Sequence, residues 1–207
     1  MEGERNAQTP NTNQAFSELG VRLPAPGFPV KYHPAFEPKG VAGLAFGAID
    51  RGFSAWEAAV ANEALFDFTE NPSGSSPPQR DGINVIGWRL FVGPGGGFLA
   101  AAFIWDDGTT ILEVDIFYNL KHKWAVNPSI EPGSTLCGEQ FDVQAIGTHE
   151  IGHMLGLGHQ SDDGDATNGN ETDATMFGAA AKGELKKQTL TPGDKTGANA
   201  VAPAPAA

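Results

Sequence analysis

Residues 148–159 read THEIGHMLGLGH. His149 and His153 stand four apart, a spacing that puts two side chains on one face of a helix with Cβ atoms about 5–6 Å apart. Two imidazoles so placed can share one zinc ion at about 2.0–2.1 Å each. His159 follows six positions later, where a continuous helix would carry it away from that face. Gly156 lies between them, and glycine can take a positive φ at little cost, end the helix and turn the chain back. Three neutral histidines with an open fourth position describe a catalytic zinc rather than a closed structural one. Glu150, beside His149, is not placed to ligate with them but can reach a water on the metal. The chemistry would be hydrolysis. Zinc would lower the pKa of its water toward ~7, and Glu150 would take the proton during attack on a peptide carbonyl and pass it to the leaving amine. A set of ordinary core histidines is the competing reading. The full pattern H-E-x-x-H-x-x-G-x-x-H, with its required glycine, weighs against it. His33 and His122, the other two of the five histidines, fall outside any ligand spacing.

These residues need a helix beneath them and a sheet beside them. "FDVQAIGTHEIGHML" (141–155) reads as that helix, with Asp142 as N-cap and Gly156 and Gly158 as stops. Upstream, Ala48, Phe53, Trp56, Val60 and Leu65 recur at helical intervals, predicting a helix over about 47–65. Strands are expected at "FPVKYHP" (28–34), "INVIGWRLF" (83–91), "FLAAAFIW" (98–105) and "ILEVDIFYN" (111–119). "VGPGGG" (92–97) reads as a flexible turn, 71–82 and 127–140 as loops. "TPGDKTGANAVA" (191–202) reads as a short terminal helix with Thr191 as cap and Pro192 in its first turn. The order is strand, helix, three strands, helix, then a loop-rich end, which suggests an α+β fold.

Composition narrows the function. The 207 residues suffice for one domain with its own core. The division expected is a flexible N-terminal segment at 1–27, a catalytic domain at 28–202 and a tail at 203–207. A net charge of −12 repels phosphate backbones and anionic membrane surfaces, so nucleic acid is not an expected partner. No apolar run is long enough to span a bilayer. A single cysteine, Cys137, excludes an intrachain disulfide. It lies just before the expected active-site helix, where a plain semi-buried thiol is favoured over a metal-directed thiolate. The first residues lack the apolar region of a signal peptide, as in a trimmed mature chain given a new Met or a truncated one.

"HEIGHMLGLGH" matches the signature of the metzincin metallopeptidases, and "LGLGH" most resembles their matrixin branch. The resemblance implies a zincin fold: a twisted mixed sheet with an antiparallel edge strand, an active-site helix, a methionine turn and a C-terminal helix. Met176 in "ATMFG" is similar to the methionine of that turn, a hydrophobic floor under the metal rather than a ligand. "AIDRGFSAWEAAV" (48–60) resembles the family's first helix, "GGGFLAAAF" (95–103) the edge strand above the cleft, "EVDIFYN" (113–119) the strand before the active-site helix, and 182–202 the C-terminal segment. The family then implies one catalytic zinc on His149, His153 and His159 with Glu150 as general base. It implies an extended peptide pairing with the edge strand along Leu99, Ala100, Ala101 and Ala102, although a buried apolar strand would read the same way. A specificity pocket would lie near 177–181. Protein or peptide substrates, a secreted location and a monomeric chain are expected. Gln160 stands where matrixins usually carry Ser, and no H-x-D pattern marks a second, structural zinc.

"DDGDATNGNETD" (162–173) is an insertion before the methionine turn. Asp162, Asp163, Asp165 and Asp173 within it suit Ca²⁺ by their oxygen donors and spacing, or form a solvated acidic loop. "WDDGTT" (105–110) poses the same choice between Ca²⁺ and a plain turn. Asp115 is either a buried hydrogen-bonding group or a calcium ligand, and Tyr118 reads as core. Two rival functions remain beside the zinc endopeptidase: a zinc-binding module that does not cut, against which the intact Glu150 argues, and a zinc hydrolase of non-peptide amides.

Overall fold

The computed structural model describes residues 16–71, 78–126, 139–160 and 171–204. Along the chain run β1 (Ser17–Glu18), β2 (Phe28–Tyr32), α1 (Ala45–Ala59), β3 (Phe66–Glu70), β4 (Val85–Arg89), β5 (Ala100–Asp106), β6 (Ile111–Asn119), β7 (Trp124–Ala125), β8 (Phe141–Asp142), α2 (Val143–Leu155), β9 (Leu157–Gly158) and α3 (Pro192–Val201). Five strands form one sheet in the order β3-β2-β4-β6-β5. Its members run parallel except β5, which pairs antiparallel with β6 and forms one edge. The fold is α+β with a mixed sheet.

The sequence explains the layering. β6 is buried at nearly every position, as a strand between two partners should be. Its Val114, Ile116 and Tyr118 join Ile86 and Trp88 of β4 and the apolar stripe Ala45, Ala48, Ile49, Phe53 and Trp56 of α1 in one core. β5 alternates between buried, half-buried and exposed, so it is a half-covered edge and not a fully buried strand. The helix expected over 47–65 ends at Ala59. Ala61 then takes a positive φ of 50°, and "FDFTE" forms β3, a strand the sequence reading did not foresee. Its reason for pairing is aromatic: Phe66 and Phe68 lie 4.7 and 4.5 Å from the Phe53 ring. The turn at 93–97 is a short 3₁₀ helix.

The N-terminal segment expected as flexible is described from residue 16, and that part lies on the domain. Ser17–Glu18 pairs with Leu157–Gly158, Val21 and Leu23 are buried, and the Arg22 backbone bonds to Thr109 and Ile111. Buried apolar side chains and backbone pairing together dock it. No helix among the described residues is long and apolar enough to cross a membrane.

Two acids hold the loop that precedes β4. The Glu113 carboxylate accepts the backbone N–H groups of Asp81 and Gly82, and Asp115 accepts those of Gln79 and Val85 at 3.1 Å each. Asp115 is thus a hydrogen-bonding group of the scaffold. Burial pushes its carboxyl up to about 7 against the pull of those N–H donors, and Glu113 adds to the rise. The folded pKa lies above the unfolded value of ~3.9, so between those values the folded state binds more protons. The contribution of this group to stability is therefore present at low pH and lost as pH rises through about 7. Asp115→Asn cannot titrate. Urea unfolding at pH 4 and pH 8 should show the stability difference moving in the variant's favour as pH rises, whatever its starting sign. A pH-independent difference would contradict the assignment.

Candidate metal centre and cleft

α2 starts where Asp142 accepts the Ala145 N–H at 2.7 Å, and ends at Gly156, whose φ of 106° is left-handed. The reversal at Gly156 returns the chain past the helix. His153 and His149 lie on α2, and His159 comes back over them. The Nε2 atoms of His149 and His153 sit 3.2 and 3.1 Å from Nε2 of His159. The outer nitrogens are committed: His149 Nδ1 donates to the Thr175 carbonyl and His153 Nδ1 to the Leu157 carbonyl, both at 2.7 Å. With the proton on Nδ1, the lone pair of each imidazole sits on Nε2. Lone pairs converging at this distance repel unless an electrophile lies among them. Tetrahedral zinc with ligands at about 2.05 Å would space its nitrogens about 3.3 Å apart, so the donor set fits that ion. Burial, and then the neighbouring His153 ring, hold His149 well below its ordinary pKa and keep it neutral. Among the described residues this triad is the one group of three or more potential ligand side chains gathered closely enough to hold a metal.

Beneath the triad runs the segment Ala174–Phe177. The Asp194 carboxylate, at the start of α3, accepts the N–H of Thr175 at 2.9 Å and of Met176 at 3.2 Å. It also closes a capping box with Thr191. Met176 is buried, and its sulfur lies against Gly152 of α2, where a Cβ would overlap it. Lys187 enters from the other side. Its Nζ donates to the carbonyls of Ala174, Thr175 and Phe177 at 3.2, 3.0 and 2.6 Å. Although only 1% exposed, this lysine has no ion pair among the described residues. Burial draws its pKa down to about 8.

Glu150 is buried beside the triad. Burial pushes its carboxyl up to about 8, opposed by the Ala102 N–H that donates to it and by the charge of Lys187. That N–H belongs to the outer edge of β5, so alternation along the antiparallel ladder turns the Ala100 amide group outward too. Leu99, Ala100, Ala101 and Ala102 line one rim of a cleft of about 580 Å³, with Ile146, Phe177, Gly178, Ala179 and Ala180 opposite. His122 also lines it, its Nε2 3.1 Å from the Phe98 carbonyl oxygen.

The profile of the matrixin peptidases matches residues 85–199 of this sequence. The match spans the β4–β6 strands, α2, the triad and most of α3. The chain belongs to the matrixin family. It is also similar to metalloendoproteinase 1 of Glycine max, at 32% identity over 115 residues, which is 56% of this chain and 34% of that protein. This matrixin chain thus spans about a third of the length of that curated relative.

Of the other expected site residues, Asp173 is exposed and pairs with Lys186 at 3.3 Å, while Asp162, Asp163, Asp165 and Cys137 lie outside the described residues. In "WDDGTT" the Asp107 carboxylate accepts the Thr109 and Thr110 N–H groups, which is the plain-turn arrangement. Tyr118 is core, its hydroxyl donating to the Val143 carbonyl. The sequence reading missed Lys187 and His122. Lys187 sits in "GELKKQTL", which carries no signal separating a buried lysine from a surface one.

The turn at Gly156 gives a direct test. An added Cβ there would collide with the Val21 carbonyl oxygen, and φ is 106°. Gly156→Ala should lower stability by about 2–4 kcal/mol in urea unfolding and weaken zinc binding in a competition titration, because His159 is displaced. Wild-type values for both would contradict the role assigned to the turn.

Proposed function

We propose that this matrixin domain is a zinc-dependent endopeptidase that cuts extended segments of protein or peptide substrates. The observation that carries the reading is the convergence of three imidazole Nε2 atoms beside the buried carboxyl of Glu150, in a cleft bounded by the edge strand β5. His149, His153 and His159 would hold the metal. When bound, zinc supplies Lewis-acid polarisation of a carbonyl oxygen and acidifies water.

The chain's own residues do the rest. Glu150, buried beside the triad, accepts a proton from the attacking water and returns it to the leaving amine. The Ala102 N–H fixes its orientation. An extended substrate adds as a strand beside Leu99–Ala102 through its own main chain, and the small side chains of Ala100, Ala101 and Ala102 permit that approach. A side chain flanking the cut enters the pocket between Ile146 and Phe177–Ala180. Met176 serves as the apolar floor. Residues 28–202 are proposed as the catalytic unit, secreted and acting as a monomer.

The test is cleavage of an unbiased peptide library read by mass spectrometry, in wild type and Glu150→Gln, each with zinc content measured. The wild type should cut, chelation should abolish cutting, and Glu150→Gln should retain one zinc while losing roughly 10²–10⁴-fold in kcat. A folded, zinc-loaded wild type that binds peptides without cutting them would overturn the peptidase reading in favour of a binding module.

A further inference from the structure

The cleft pocket carries a charge that the triad and Glu150 do not explain. Most of its walls are apolar: Leu99, Phe141, Ile146, Phe177 and Ala180. Lys187 lines the same cavity, and no carboxylate among the described residues pairs with it. Its three bonds go to neutral carbonyls, which orient the ammonium without cancelling its charge. The acids that face it act from a distance: Glu184 on its own segment, Asp194 on α3 and Glu150 on α2, with Lys186 adding a like charge. In a low-dielectric wall an unpaired charge reaches several ångströms into the cavity. A second cation brought there would be both desolvated and repelled, and specificity often rests on such a repulsive element.

We propose that Lys187 is a specificity-determining residue: its ammonium makes the pocket beside the triad accept substrate side chains with an apolar stem and an oxygen-acceptor end, glutamate or glutamine, and reject lysine and arginine. The stem lies against Ile146 and Phe177, and the acceptor end faces the positive wall. A carboxylate can also draw one N–H of Nζ from its carbonyl partner. The inference rests on the peptide-cleft reading and deepens it.

Two readouts test it. Peptides identical except for Glu, Gln, Leu or Lys at one residue flanking the cut, placed before it in one series and after it in another, are compared by kcat/KM in wild type. Binding of the same peptides to Glu150→Gln is measured by fluorescence anisotropy. The Glu and Gln peptides should exceed the Lys peptide by at least about tenfold in both assays. Lys187→Met should collapse that ratio and move the optimum to Leu, and Lys187→Arg should preserve the rejection of Lys. A selectivity ratio within one enzyme is not moved by a general loss of folded protein. A wild-type ratio near one, or a ratio unchanged in a folded Lys187→Met, overturns the proposal. Should Lys187→Met not fold, the wild-type ratio alone decides. Failure of every peptide to be cut or bound would instead sink the peptidase reading itself.

Discussion

The left-handed residue at Gly156 fixes the relation between two parts of the chain that would otherwise diverge. His149 and His153 are placed by helical spacing alone. His159 has no such help, and along a continued helix it would point elsewhere. At Gly156 the backbone reverses with φ 106°, Leu157 supplies the carbonyl that orients His153, and Gly158 pairs with Ser17. The turn leaves no room for a side chain because the Val21 carbonyl occupies that space. The docked N-terminal strap and the imidazole cluster are thus two consequences of one backbone reversal.

A second constraint comes from below. The segment Ala174–Phe177 buries Ala174, Thr175 and Met176, and its backbone polar groups go in with them. Asp194 accepts two of its N–H groups and Lys187 binds three of its carbonyls. Unpaired, such groups would each cost about 1–3 kcal/mol. Opposite charges therefore grip one strip of chain from two sides. The Thr175 carbonyl in that strip also receives His149 Nδ1–H, so the floor of the cleft and the orientation of one imidazole are set together. Lys187 then serves both as the clamp and as the charge on the pocket wall.

Much of this was legible in the sequence, because the residues concerned act through local rules. The i, i+4 histidines, the Asp142 cap, the Gly156 stop and the Thr191 cap are written within a few positions of one another. β4, β5 and β6 announced themselves by β-branched and aromatic content. β3 did not, since "FDFTE" is short and acidic and is held by Phe53 from another element. Lys187 was invisible for the same reason: its burial is decided by carbonyls on a different segment. Asp115 stood open in the sequence between a buried hydrogen-bonding group and a calcium ligand, and only the fold shows that it and Glu113 tie down a loop. What the sequence hid, from the end of α1 at Ala59 and β3 to the burial of Lys187, was decided by contact between elements.

Everything proposed for the cleft depends on His149, His153 and His159 forming an open three-nitrogen zinc site. X-ray absorption at the zinc edge on the zinc-loaded protein tests it most directly. Three imidazole nitrogens at about 2.0–2.1 Å and one further light-atom ligand are expected, with no sulfur. A sulfur scatterer at about 2.3 Å, from Cys137 or Met176, or a shell with fewer than three imidazoles, would contradict it.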